Sequence, residues 1–472
     1  MSSTNTIPLS AERPLRASDA YDWPVAYAAE SLIRNHIAAF LQRNSFARDL
    51  SERMQNETGT DLFEWTDYLV LGLEQEGALR DAGFARQSAE TENGEFVLEH
   101  PRATLPRVLI SSEANGRITL ALRPEFVADF IARHNLQHTP EGEPCSRFRR
   151  VLVNEENEAR LEAVERRAYR GFAPAALSGN ELKAIVRARE LWATRARRFD
   201  DDAKGFAHAR ITLDETVALI GQDVSCQFFF EAERAYWERR NRAGRIQKFR
   251  QDSLGLGWGN HDHHTFRCSR EHFVDLIEFL LKLGFQKRER YYAGAEAGWG
   301  AQICEQPTTG IVVFADVDLL PEETHIDFST QKLPPARKPG TVGLWVALHG
   351  ESFLDAGMHH LEARFEFNCL RDQLRDAGVN MMKPFSDFEF LRQAFTEGER
   401  WPVCPMRLER LVSADLITRE QAANFSRDGA IGSHLENLQR HGGFKGFNQK
   451  SVSVVIAATD PRKSHFEKPI AA

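Results

Sequence analysis

Apolar residues recur at helical spacing through YAAESLIRNHIAAFLQRNSFARDLSERM, residues 27–54, so the first compact unit opens with helices. The pattern then changes to FEWTDYLVLG, EGALRDAGF and GEFVLEHPRATLPRVLISSE, which predict a strand, a short helix and two more strands. The same order returns downstream. WGNHDHHTFRCS predicts a strand, REHFVDLIEFLLKLGF a helix, and WGAQICEQPTTGIVVFADVDL a pair of strands. That helix is well specified: Ser269 caps it, Phe273, Leu276, Ile277 and Leu280 form one face, and Gly284 ends it in a left-handed conformation. Glu-His-Pro at 99–101 matches Glu-Gln-Pro at 305–307, and Asp67 and His263 fall at the starts of equivalent strands. Two related βαβββ-like modules in an α+β fold account for this.

Between them, NEENEARLEAVERRAYRGF, GNELKAIVRARELWATRARRF and FFFEAERAYWERRNRAGRIQKF are charged and helix-periodic, and predict a helical insertion with solvated faces. The hinge LPPARKPG leads into a third region holding GTVGLWVALHGES, GMHHLEARFEF and the tail GAIGSHLENLQRHGGFKGFNQ. The expected boundaries are a flexible arm at 1–22, a first module at 23–135, the insertion at 136–250, a second module at 251–338 and a C-terminal helical extension at 339–472.

Length and charge narrow the partners. A chain of 472 residues buries a sizeable core, and a formal charge of -8 disfavours a grip on phosphate backbones, so no nucleic-acid partner is expected. The cysteines at 145, 226, 268, 304, 369 and 404 never form a CxxC pair and read as reduced thiols. The polar start MSSTNTIPLSAERPLR holds no signal peptide, and runs such as SVSVVIAA are too short to span a bilayer, so the expectation is a cytoplasmic protein without a membrane. Oligomeric state stays open.

The densest group of potential ligands is Asn260, His261, Asp262, His263 and His264, in an extended segment. Regular alternation would turn His261 and His263 to one face, with Asp262 and His264 on the other. Neutral imidazole suits iron, zinc, copper or nickel, and a carboxylate beside it with open positions makes the facial site of non-haem Fe(II) oxygenases. The plainer reading is a solvated histidine-rich turn. Glycines 255, 257 and 259, which permit close backbone approach, and a second pair, His359 and His360, ahead of Glu362, favour a metal; Glu362 and Glu366 also fit the polar face of an amphipathic strand. Neither a Gly-x-Ser-x-Gly elbow nor a P-loop or Rossmann glycine pattern occurs.

HPRATLPRVLISSE at 100–113, DHHTFRC at 262–268, EQPTTGIVVF at 305–314 and THIDFSTQKLPP at 324–335 follow one another as corresponding segments do in the Fe(II)-dependent 2-oxoadipate dioxygenase/decarboxylase family, which the chain resembles over nearly its whole length at low identity. That family's fold is related to the vicinal oxygen chelate barrels. The resemblance implies Fe(II) as cofactor, a 2-oxo acid and dioxygen as substrates, and oxidative decarboxylation. It places metal ligands at His263, or His264 with a one-residue slip, and at Asp327, with Asp67 where the family has its first metal histidine. Leu71 stands where the family has its substrate-binding arginine, Arg267 at the analogous place on the other module, and Phe425 where it has a substrate-contacting valine. Gln306 is expected to orient substrate or water. With Leu71 in place of an arginine, the expected substrate has an apolar far end. A glyoxalase-like metal-dependent lyase or isomerase, and a catalytically inactive binding relative, are the alternatives.

Overall fold

Four βαβ units, grouped two by two, make up the strands of this chain. The computed structural model describes residues 23–448 except 90, 92, 93 and 296, together with 460–462; the expected arm at 1–22 and the SVSVVIAA run lie outside the described residues. Helices α1 (Tyr27–Arg43) and α2 (Ser45–Arg53) come first. The first unit is β1 (Thr66–Gly72), α3 (Glu76–Asp81), β2 (Ala85–Gln87), β3 (Phe96–Glu99) and β4 (Arg107–Ser111). The second is β5 (Ile118–Leu122), α4 (Val127–His134), β6 (Phe148–Glu156) and β7 (Ala159–Arg166). Four helices follow: α5 (Gly179–Ala193), α6 (Asp202–Ile220), α7 (Gln222–Glu238) and α8 (Arg242–Asp252).

The third unit is β8 (His261–Arg267), α9 (Phe273–Lys282), β9 (Gln286–Tyr292), β10 (Trp299–Glu305) and β11 (Val312–Asp318). After α10 (Thr341–His349) comes the fourth: β12 (His360–Arg364), α11 (Phe367–Asp376), β13 (Ser386–Phe388), β14 (Leu391–Phe395), β15 (Glu399–Trp401), α12 (Pro405–Ser413), α13 (Arg419–Asp428) and β16 (Ala430–Arg440).

Units one and two form a sheet of order β2-β3-β4-β1-β5-β7-β6; units three and four form β13-β14-β16-β12-β8-β11-β10-β9, with β15 on β16. In each unit the first and last strands pair in parallel, as β1/β4, β5/β7, β8/β11 and β12/β16. Parallel pairing needs a crossover, which a helix supplies in each unit. Within each sheet the two first strands meet antiparallel, β1 on β5 and β8 on β12. The core of the first sheet packs Ile33 and Phe40 of α1 on Leu69 and Leu120, while Trp192, Phe229, Phe230 and Phe279 cover the back of the second.

The α+β class stands, and the two expected modules are the first and third units. Three expectations are corrected. Residues 148–166, assigned to the helical insertion, are the β6–β7 hairpin, joined by Asn157 and Glu158, both at positive φ (47° and 59°), the geometry of a two-residue turn. One of its charges is buried and paired rather than solvated: Glu162 accepts from Tyr68 Oη at 2.8 Å and from Arg160 Nε at 2.7 Å, so polarity misled the helix reading. The region after 339 is not a helical extension, because β12 to β16 complete the second sheet. THIDFSTQKLPP, which the resemblance matches to a strand of that family, forms turns. Helix α9 ends as expected, with Gly284 following it at φ 86°, but Ser269 does not cap its start: Ser269 Oγ accepts from His272 N at 3.3 Å in the preceding turn, and the N-cap residue His272 has no side-chain cap hydrogen bond. No helix among the described residues is long and apolar enough to cross a membrane.

One buried carboxylate ties the start of the described chain to its end. Glu30 on α1 accepts from Arg34 Nε at 2.7 Å and from Gly443 N at 2.9 Å, just beyond β16, with His441 Nδ1 at 3.8 Å. Burial pushes the Glu30 carboxyl up, but His441, Arg34 and the Gly443 N–H outweigh it and hold it at about 2. A carboxyl lowered on folding stabilises fully above its unfolded value and loses that contribution as pH falls toward the folded one. Glu30→Gln should therefore lower the unfolding free energy by roughly 1–2 kcal/mol at pH 7 after solvent screening. Denaturant titrations should show the gap closing as pH falls from 4.5 toward 2, and a gap that persists at pH 2 would refute the assignment.

Candidate metal centre

The second sheet carries an unusual load of buried polar groups on one face of four adjacent strands. On β12, His360 and Glu362 alternate with Leu361 and Ala363, which turn into the core. Strand β16 runs parallel beside it in a register that sets His360 against His434, Leu361 against Leu435 and Glu362 against Glu436. The tripeptide His-Leu-Glu thus occurs twice in the chain and lies side by side with itself. Two carboxylates become direct neighbours, both almost without solvent exposure.

Strand β8 supplies the third line, and it is not regular. His264 pairs with Leu361 and His261 with Ala363, so Asp262 and His263 together oppose the single residue Glu362. This is a β-bulge. The extra residue breaks the expected alternation: Asp262 joins His263 on the polar face, while His261 turns to the back, its ring 5.5 Å from that of His264. His264 packs at 4.8 Å on Phe230 and is not part of the cluster.

The distances define the centre. His263 Nδ1 lies 2.5 Å from Glu362 Oε1 and 3.5 Å from Asp262 Oδ1, while Nε2 faces Glu436 Oε2 at 3.9 Å. His360 Nε2 lies 3.0 Å from the same Glu436 oxygen and 2.8 Å from Thr265 Oγ1. Gln393 on β14 donates from Nε2 to Glu362 Oε2 at 2.8 Å and to Glu436 Oε1 at 3.1 Å, leaving its buried Oε1 with no hydrogen-bond partner among the described residues. Arg440 donates to Asp262 at 2.9 Å.

Dense burial sets the charges. Burial, together with the Glu362 charge, pushes the Glu436 carboxyl well above its usual range. Burial drives His263 down, but Glu362 and Asp262 outweigh it and raise the imidazole to about 9. Burial, helped by the His263 charge, pushes His360 well below 6.5. For Asp262, Arg440 and His263 overcome burial and hold the carboxyl well down.

Among the described residues, two groups have ligand atoms close enough to share one cation: His263, His360 and Glu436, or Asp262, His263 and Glu362. The first fits a metal better. Asp262 is already engaged by Arg440, whereas Glu362 behind His263 Nδ1 is the carboxylate partner that orients a metal-bound histidine and directs Nε2 outward. His359 Nδ1, 2.9 Å from His360 Nδ1, stands in the same relation to the second ring. A cavity of about 50 Å³ opens on this triad, walled by Tyr291, Trp299, Phe314, Phe385, Phe395 and Phe447. A cleft of about 220 Å³ reaches His263 from the other side, past Arg288, Arg364, Arg440 and Lys445.

Of the residues singled out from sequence, His263 is at the centre and the others are elsewhere. Asp327 lies in a turn, accepting from Ser329 Oγ at 2.6 Å and facing Arg290 at 3.4 Å. Asp67 is buried in the first sheet with Arg166 Nε at 2.6 Å and Arg107 at 3.8 Å. Neither belongs to a ligand group among the described residues. Gln306 holds a turn, accepting from Thr308 N at 2.8 Å and Thr309 N at 2.7 Å. Leu71 is core of the first sheet, and Phe425 packs with Leu344, Leu348 and Leu411, so neither walls the cavity. Arg267 lies on β8 opposite Asp316, 5.7 Å from the Trp345 ring; burial pushes its guanidinium down to about 10. Sequence reading missed Glu436, Gln393 and the pairing of His360 with His263. The repeated His-Leu-Glu was the signal that could have shown the first.

No protein-family model matches this chain, and no curated protein matches it. Among solved structures, a mutant of 4-hydroxymandelate synthase from Streptomyces coelicolor is similar over 85% of this chain and 99% of its own, at 12% identity and a TM-score of 0.29. Methylmalonyl-CoA epimerase from Mycobacterium tuberculosis is similar over 39% of this chain and 88% of its own, at 12% identity and a TM-score of 0.21. A xylose isomerase-like TIM barrel/4-hydroxyphenylpyruvate dioxygenase fusion protein is similar over 85% of this chain and 53% of its own, at 11% identity and a TM-score of 0.25. Likenesses this slight say nothing of residues or activity, and the centre stands on its own geometry.

Asp67 separates the two placements of the ligands. Asp67→Asn leaves Arg166 buried without its counter-charge, and should lower stability by about 3–5 kcal/mol while the metal content of the folded fraction stays at the wild-type level. Chemical denaturation and elemental analysis of the same preparation check this. Lost metal with unchanged stability would return Asp67 to the ligand set.

Proposed function

We propose that the protein is a non-haem Fe(II)-dependent oxygenase acting on a small 2-oxo acid, with His263, His360 and Glu436 as the metal ligands. The observation that carries this reading is the convergence of two imidazoles and one carboxylate from three neighbouring strands, with a further carboxylate behind one imidazole. Bound there, Fe(II) supplies the activation of dioxygen that oxidative decarboxylation of a 2-oxo acid requires. The substrate class rests on the sequence resemblance; the aromatic cavity agrees with a compact acid whose far end is apolar rather than charged.

The chain's own residues have distinct parts in this reading. Glu362 and His359 hold the two rings so that each presents Nε2. Gln393 fixes both carboxylates through one amide and keeps Oε1 free to accept a hydrogen bond from a ligand's O–H. Glu436 gives up its proton when a cation takes its place. The ring of Phe314, 4.3 Å from His263, with Phe395 and Phe447, keeps bulk water from the ligands.

Elemental analysis of protein purified without chelator tests the centre. His263→Ala, His360→Ala and Glu436→Ala should each lower iron content at least about tenfold, since each removes a ligand. Asp327→Ala and His264→Ala should retain it. Oxygen uptake by the iron-loaded protein should be faster with a monocarboxylic 2-oxo acid than with a dicarboxylic one of equal length. Full iron occupancy in the triad variants would overturn the ligand set; zinc without oxygen uptake would favour the lyase, and no metal the inactive binding relative.

A further inference from the structure

Beside the first sheet lies a cavity at the counterpart of the Asp262–Arg440 pair, next to the equivalent of the metal centre, and arginines dominate its lining. It measures about 230 Å³ and is lined by Arg107, Arg123, Arg166, Arg170 and Arg364 against only Glu64, Asp67 and Glu99. Asp67 stands on β1 and Arg166 on β7, the strands that correspond to β8 and β16 in the second sheet. Each carboxylate already has an arginine: Asp67 meets Arg166 at 2.6 Å, Glu99 meets Arg170 at 2.5 Å, and Glu64 meets Arg364 at 3.2 Å.

Cationic capacity is left over. Arg166 is buried, and its Nη2 has no hydrogen-bond partner among the described residues. The Arg123 guanidinium makes no ion pair and no side-chain hydrogen bond among those residues, although it lines the cavity. Arg107 reaches Asp67 only at 3.8 Å, behind Arg166. Burial, with Arg166 beside it, pushes the Arg107 guanidinium down to about 9, the direction expected where positive charges are crowded without enough counter-charge. Guanidinium groups withdrawn from water without full pairing are costly, and a bound anion offsets that cost.

We propose that this cavity binds a small dianion, a phosphate or a short dicarboxylate, through Arg123, Arg166 and Arg107. The fork of N–H donors on arginine suits planar carboxylate and tetrahedral phosphate oxygens alike, which a lysine cluster would match less well. The volume is below that of a drug-sized pocket and takes a compact ion. Glu99, Thr104, Leu105, Gly310 and Arg364 line both this cavity and the cleft leading to His263, so an anion held here borders the approach to the metal centre.

Titration calorimetry at constant ionic strength, with inorganic phosphate in one arm and malonate in the other, tests the site on the full-length protein. One of the two should bind saturably at one equivalent with a submillimolar dissociation constant, and which one does separates the two chemistries. Arg123→Gln should weaken that binding at least about tenfold, because it removes a charge-assisted donor. Thr104→Glu, at an exposed position on the rim, should weaken it as well by placing a carboxylate beside the arginines, and guards against a folding defect in the first variant. Absence of saturable binding with both anions, or equal affinity in wild type and both variants, would overturn the proposal.

Discussion

A parallel pair of strands cannot be closed by a hairpin, and in this protein every unit is built around such a pair. The chain leaves the first strand, crosses through a helix, and returns to lay its last strand beside the first. The rest of the structure depends on this. It sets the strand order of both sheets, and it leaves the other edge of each first strand free to meet its counterpart antiparallel. In the fourth unit it also fixes the chemistry, because parallel register places one His-Leu-Glu beside the other. Side chains at equal register on neighbouring strands are within contact distance, so two buried carboxylates must share a small volume.

Such a pair is unfavourable unless positive charge lies between or beside it. Here His263, brought onto the same face by the bulge in β8, occupies that position, with Arg440 engaging Asp262 at its side. The bulge has a specific role: one extra residue lets Asp262 and His263 face the same neighbour, which a regular strand would forbid. Around these polar groups the sheet presents aromatic rings, and low polarity there strengthens each electrostatic contact.

The two sheets show how one scaffold takes opposite charge at neighbouring places on corresponding strands. In the second, carboxylates outnumber their fixed partners and the geometry suits a cation; in the first, arginines outnumber carboxylates and the geometry suits an anion. Asp67 illustrates the difference. Its place in the strand order matches that of β8, yet Arg166 and Arg107 satisfy it fully, so it serves the packing of the first sheet.

Local pattern alone determined much of this. Hydrophobic spacing located β1, β8 and α9, glycine placement located the end of α9, and the crowding of imidazoles singled out His263. It failed on the β6–β7 hairpin because strand pairing and a hydrogen bond from the distant Tyr68 bury Glu162, a charge that looks solvated when only neighbours in sequence are considered. It failed on the region after residue 339 because short strands separated by helices carry little periodicity of their own. Only tertiary structure decided what His263 meets. Glu362, Glu436 and His360 come to it through strand pairing between remote segments, and the face it shows depends on a one-residue bulge. Periodicity reports which side of an element is apolar; register between elements is set by packing, and ligand sets are made by register.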